Sequence, residues 1–294
     1  MEADNQLPRP TTMCCLEPLP RILCLHAFRT NAAMMEKQMH HFSNFAMAWE
    51  DEFELVCIDG VHKCTEAEAA KSEVKHIVPE PYFEWHNART ASDGTTTYEY
   101  ENEALQVLAE HMRSGEYVGL MGFSQGGQLI FSYLLLSLRK PDTYPPPKFV
   151  VLISCFPSRH QPHAELLRSH LGKANVHVPA LVTYGAADDH VAPEGTRQIC
   201  SAFASTALTE LRVAAQKTHR VPALNPPDLL VCQRFALAQA TALSAWDRPL
   251  GRHALKLAGA LRRCLACSGS GGAPGAPGAA KTAAERGGAT RELV

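Results

Sequence analysis

Gly122-Phe123-Ser124-Gln125-Gly126 follows a short apolar run, Tyr117-Val118-Gly119-Leu120-Met121, and leads into Gln128-Leu129-Ile130-Phe131-Ser132-Tyr133-Leu134-Leu135-Leu136. The order reads as strand, tight turn, buried helix. A G-x-S-x-G in that setting is a nucleophile elbow, a turn that lifts the serine hydroxyl clear of a sheet. Both glycines have a steric reason, because strand and helix crowd the turn and a Cβ at either place would collide. With Gly at about 7% of residues, a chain of this length meets the five-residue pattern by chance on the order of one time in ten. The flanking strand and helix therefore carry more weight than the pattern alone.

Outward from the elbow, continuous apolar runs recur. Arg21–Leu25, Phe53–Ile58, Phe149–Ile153, Ala180–Tyr184 and Leu211–Ala215 read as further strands, and runs of this kind belong to parallel sheets buried on both faces. Between them, helices are predicted from an Asn31 or Thr30 cap through Met34, Met35, Met39 and Phe42, over Tyr100–Arg113 with Gly115 as its stop, after the elbow, over 194–204, and over 226–243. Leu166–Leu171 reads as a short helix end. Strands alternating with helices imply an α/β fold, a mostly parallel central sheet with helices on both faces. Residues 61–97 fit no regular element; Pro79, Pro81, Tyr82, Phe83 and Trp85, then a polar loop ending in Asp93-Gly94, suggest a lid or pocket wall.

Composition bounds the rest. The chain has 294 residues, 46% of them hydrophobic and 20% charged, with a net charge of -2. That balance gives no electrostatic case for nucleic acid or an anionic membrane as partner, and no apolar run approaches the roughly 20 residues that span a bilayer. Residues 1–20, with Pro8, Pro10, Pro18 and Pro20, read as a flexible leader without a signal-type apolar stretch. The α/β domain occupies 21–250. Residues 251–294 read as a low-complexity, largely disordered tail, its composition turning abruptly to Gly, Ala, Pro and Ser from about Cys267. Cys24, Cys57 and Cys155 lie inside apolar runs, and without a secretory signal the implied compartment is a reducing cytoplasm.

A serine hydroxyl attacks at neutral pH only when a neutral imidazole takes its proton. Among 14 histidines, His219 lies on the loop after the last strand, where the chain order Ser, acid, His places the base. Asp188 and Asp189 both stand at the end of the preceding strand; Asp188 is preferred, three residues after Gly185 and three before Val191. His190 sits on the acid's own loop and is the weaker base. The oxyanion donors would be the backbone N–H groups of Gln125, following the nucleophile, and Phe28, on the loop after the first strand. Losing one such donor typically costs about 10²–10³ in rate. His26, Trp85 and the Met-bearing helix suggest an apolar acyl pocket, although the helical spacing of the methionines favours core packing over a ligand surface. No cofactor or metal is indicated: Cys264-Leu265-Ala266-Cys267 is a lone pair without a second half, and His40-His41, His160 and His163 lack a ligand-spaced partner and read as surface residues.

Arg21–Met39, Gly122–Gly127, Gly185–Val191 and His219-Arg220-Val221-Pro222 together resemble the FSH-type family of serine hydrolases over roughly residues 20–245. The resemblance implies an α/β-hydrolase fold and a small-molecule ester or thioester substrate, with Ser124, Asp188 and His219 as triad. Ala27 stands where that family usually has Gly, which requires a negative φ there; Thr218 likewise replaces the Gly usual before the histidine. Gly-Phe-Ser-Gln-Gly-Gly is also similar to the elbow of acyl-protein thioesterases, the nearest rival family, while Arg29-Thr30-Asn31 and Tyr82–Trp85 favour the first. A hydrolase fold without activity, serving as a binding module, is the reading from another class.

Overall fold

The computed structural model describes residues 18–247. Six strands build one wholly parallel sheet: β1 (Arg21–Leu25), β2 (Glu54–Ile58), β3 (Tyr117–Phe123), β4 (Phe149–Ile153), β5 (Ala180–Gly185) and β6 (Leu208–Val213). Their order is β6-β5-β4-β3-β1-β2. The chain steps from β1 outward to β2, returns on the other side of β1 as β3, and then advances to β6. The reversal falls between β1 and β3, and open α/β sheets hold their sites beyond the C-terminal strand ends at such a switch point. Leu25 pairs with Gly122 there, so the loops after β1 and β3 leave the sheet side by side.

Five main helices flank the sheet: α1 (Ala32–His40), α2 (Glu101–Ser114), α3 (Gln125–Arg139), α4 (Pro193–Cys200) and α5 (Pro226–Asp247). Successive strand residues point to opposite faces, and both faces are covered. Leu23, Leu25, Leu120, Val150 and Leu152 pack with Leu105, Leu108, Leu129, Phe131 and Ile199 from α2, α3 and α4. Ile22, Cys24, Met121, Phe149 and Val151 pack with Met35 and Met39 of α1 and with Phe235 and Ala236 of α5. This double burial explains why the strands read as unbroken apolar runs. Each large side chain fully enclosed this way contributes roughly 1.5–3 kcal/mol.

The sequence-based expectations hold for the strands and shift at some edges. β6 begins three residues earlier than predicted and ends at Val213, leaving His219 well out on a loop. Helix α1 ends at His40, so Phe42 falls beyond it and is 46% exposed. Residues 61–97 are more regular than expected. His62–Lys63 pairs antiparallel with Phe83–Glu84, and Asn87–Thr90 with Thr96–Glu99. The second hairpin turns at Gly94 (φ 84°), with Asp93 accepting the Thr95 N–H at 2.8 Å. Asp-Gly is a hairpin signal, and the polar side chains on both faces of these strands hid the alternation around it. Met34, Cys64, Ala69, Val74, Val78 and Tyr82 form a small third core that seats this cover on α1. Asn31 fastens it further: its Oδ1 caps α1 through the Met34 N–H at 2.9 Å, while its Nδ2 donates to the carbonyls of Pro79 and Pro81 at 3.1 and 3.0 Å. Most of the predicted leader, the tail and the Cys264/Cys267 pair lie outside the described residues.

Candidate active site

Ser124 sits between β3 and α3 with φ 52° and ψ −114°, a strained conformation of the kind that costs about 1–3 kcal/mol and persists only where the surroundings enforce it. The surroundings here are close. The Ser124 N–H donates to the Ile153 carbonyl at 2.9 Å. A Cβ at Gly122 would meet the Gly126 carbonyl carbon and the Gly127 nitrogen at 2.6 Å, and one at Gly126 would meet the Leu25 carbonyl oxygen at 2.5 Å. Both glycines of the elbow therefore allow the backbone approach that presents the serine.

The loops after β5 and β6 bring the acid and the imidazole together. His219 Nδ1 lies 2.9 Å from Asp188 Oδ2 and 3.1 Å from Oδ1. The Asp188 side chain is fully buried, and its Oδ1 also accepts the N–H groups of Val191 at 2.9 Å and His190 at 3.0 Å. Burial opposes its charge, but the His219 hydrogen bond and these N–H groups outweigh burial and hold the carboxyl below its ordinary range. Asp189 does something else: its Oδ1 accepts the His219 backbone N–H at 2.8 Å and binds His190 Nδ1 at 2.9 Å. His190 reaches Glu73 of the cover with Nε2 at 3.3 Å and stacks on His219 at 5.4 Å. The His219 ring also rests on Phe123, the residue before Ser124, with centroids 4.7 Å apart. Ser124 Oγ and His219 Nε2 are not hydrogen-bonded to each other, and catalytic bonds often close only around substrate.

Neither the Phe28 N–H nor the Gln125 N–H is taken up by a hydrogen bond among the described residues. φ at Ala27 is not positive; the positive value in this loop falls on Arg29, at 52°. The oxyanion loop is braced from behind. His26 is fully buried, its Nε2 accepts the Gly60 N–H at 2.9 Å, and its Nδ1 lies 2.7 Å from the Ala27 carbonyl. That pattern fixes the tautomer with the proton on Nδ1, and burial, partly opposed by the Ala27 carbonyl, pulls its pKa down to about 4. Arg29 reaches across to the buried Glu84 at 2.6 Å.

The predicted pocket residues are corrected by their burial. His26 and Trp85 are 0% exposed, so neither offers an open apolar wall, whereas Met35 and Met39 at 0% and Met34 at 4% are the core packing that their helical spacing predicts. The sheet and the cover consume that surface. Phe28 is the apolar side chain of the oxyanion loop that stays outside, 44% exposed.

A second correction concerns His160 and His163. Neither is a free surface residue: His163 is 9% exposed and His160 is half-buried, and they approach the buried carboxylate of Glu101, at the start of α2, at 3.7 and 3.5 Å. Burial pushes Glu101 up to about 8 and His163 down to about 4, so near neutrality the pair holds one proton between them. The cluster has a metal-like outline, yet His160 Nδ1 accepts the Tyr98 N–H at 2.9 Å. Its Nε2 must then carry the ring proton and has no lone pair for an ion. In the similar group His62, Glu68 and Glu84, Arg29 binds Glu84 Oε1 and the Thr65 cap binds Glu68 Oε2, while Glu84 Oε2 is buried without a partner. Glu101 is distant in sequence from both histidines, so no spacing pattern announced it.

A parallel sheet with this switch point, a strained serine elbow and a buried Asp–His pair defines an α/β-hydrolase. The family model described as "Serine hydrolase (FSH1)" matches residues 16–227. The chain belongs to this family of serine hydrolases. Among curated relatives, it is 28% identical over 198 residues to the esterase OVCA2 of Bos taurus, covering 64% of this chain and 84% of that one. It is 30% identical over 129 residues to the esterase alnB of Emericella nidulans, covering 44% of this chain and only 40% of the relative. Among solved structures, the acyl-protein thioesterase 2 of Zea mays overlays 79% of this chain and 97% of its own with a TM-score of 0.48 and 14% identity.

Proposed function

We propose that this serine hydrolase cleaves carboxylic esters, or thioesters, of apolar acyl groups through an acyl-Ser124 intermediate. His219 Nε2 takes the proton from Ser124 Oγ as the oxygen attacks the carbonyl carbon. The negative charge on the carbonyl oxygen is received by the N–H groups of Phe28 and Gln125. The imidazolium, held in register by Asp188, then protonates the leaving alcohol or thiol. Water repeats the sequence on the acyl-enzyme and releases the acid. Each proton movement is served by these side chains and water, and no cofactor enters. The observation that carries the reading is the His219–Asp188 pair at 2.9 Å on a fully buried carboxylate, an arrangement that leaves Nε2 as the outward base.

The exposed Phe28 ring on the oxyanion loop supports an apolar group next to the carbonyl. A series of p-nitrophenyl esters of graded acyl length should therefore show kcat/KM rising from acetyl to medium chains, and a flat series would remove the apolar preference. A fluorophosphonate should label the wild-type protein and not Ser124→Ala, with the melting temperature little changed. Labelling that persists in the variant would show the nucleophile to be elsewhere. The described cysteines Cys24, Cys57, Cys64, Cys155, Cys200 and Cys232 are free thiols, which supports a reducing, cytoplasmic setting; cell fractionation tests it. No helix among the described residues is long and apolar enough to cross a membrane.

A further inference from the structure

The two N–H groups assigned to the oxyanion come from different loops, Phe28 after β1 and Gln125 after β3. Their separation decides whether both reach one oxygen. One residue belonging to neither loop touches both, through its side chain on one side and its main chain on the other. Trp85, in the cover, is 0% exposed. Its main-chain N–H donates to Gln125 Oε1 at 2.9 Å, and its indole Nε1–H donates to the His26 carbonyl at 2.9 Å, two residues before Phe28. Gln125 Nε2 completes the clamp by donating to the His86 carbonyl at 2.7 Å. The indole also packs on the His26 ring, centroids 5.1 Å apart, and that ring is itself fixed by the Gly60 N–H.

We propose that Trp85 is a positioning residue that sets the spacing of the two oxyanion donors, through its indole N–H on one side and the Gln125 side chain on the other. The proposal rests on the assignment of Ser124, Phe28 and Gln125 above. The physical reason for a strong effect is that the oxyanion bonds exist only in the transition state. A small displacement of one donor therefore lowers kcat without weakening ground-state binding.

The test is Trp85→Phe, which keeps an aromatic ring beside His26 while removing the indole N–H together with part of the ring volume. Activity is measured per active site, titrated with a fluorophosphonate, so that misfolded protein does not count. The expected result is a fall in kcat of about 10- to 100-fold, a fraction of the loss for a whole donor, with KM nearly unchanged. Affinity for a boronic acid, whose tetrahedral adduct carries the oxyanion, should fall by the same factor. Unchanged kcat per site with unchanged boronate affinity overturns the proposal, as does a rise in KM alone. Should Trp85→Phe fail to fold, Gln125→Met decides by the same criteria, since it keeps the backbone donor and loses both clamp bonds. The parent assignment fails separately, through persistent labelling of Ser124→Ala.

Discussion

Asp188 and Asp189 are neighbours in the chain, and their surroundings divide the work between them. The Asp188 side chain is fully buried and faces the imidazole; Asp189 is 53% exposed and holds the His219 backbone N–H. From sequence both qualified, because the end of β5 supplies two carboxylates in succession and only side-chain direction separates them. The expected outcome of Asp188→Asn is a kcat loss of about 10⁴, because the amide favours the wrong imidazole tautomer. Asp189→Ala should lose only about tenfold, the worth of one hydrogen bond that steadies the loop. Steady-state kinetics on a p-nitrophenyl ester, with both variants side by side, checks the division; equal losses would contradict it. Asp189 also keeps His190 company: the Asp189 bond raises the His190 pKa, burial opposes it, and the Glu73 bond adds a smaller upward push. A second imidazole stacked on His219 was not readable from sequence, since its partner Glu73 lies in the cover.

The elements that were legible in the sequence are those with a single physical demand. β1, β3, β4 and β5 are buried on both faces, so their apolar runs stand out, and the elbow is announced by its steric need for glycine. The cover was not legible, because its strands alternate between polar residues and its fixing points are the side chains of Asn31, Gln125 and Trp85 acting on remote backbone. The elbow makes the sharper prediction. Gly126→Ala would press a Cβ against the Leu25 and His26 carbonyls at 2.5 and 2.7 Å, and backbone has little freedom to yield. The expected cost is about 3 kcal/mol or more, read as a large drop in urea midpoint or loss of soluble protein. A Gly126→Ala variant with wild-type stability would mean that β1 and α3 are further apart than described.

Across the whole molecule, buried titratable groups fix how stability responds to pH. His26 is pulled down to about 4 and His86 to about 3, both chiefly by burial, below the ordinary value near 6.5. Their folded-state contribution is complete above about 6.5 and is lost as pH falls toward 4, because the unfolded chain binds protons that the native one refuses. Glu101, raised to about 8 by burial, acts in the opposite sense: its contribution is present below about 4.5 and is lost as pH rises through 8. Between about 4.5 and 6.5 it offsets His163, leaving His26 and His86, with His160 also held down by burial, to take up protons on unfolding, so stability falls as pH drops through this range. Maximum stability is therefore expected close to pH 6.5–7, with a steep acid limb that His86→Asn flattens; melting temperatures from pH 4.5 to 8.5 check it, and a flat acid limb would contradict the burial of these imidazoles. None of this was visible in sequence, where fourteen histidines look alike until the fold buries some of them. The central claim, however, concerns one oxygen. Quenching the enzyme within the first turnovers of a p-nitrophenyl ester and weighing its peptides should find one added acyl group on the peptide that holds Ser124, and none in Ser124→Ala. An acyl group on any other residue, or hydrolysis with no acyl-enzyme at all, would contradict it.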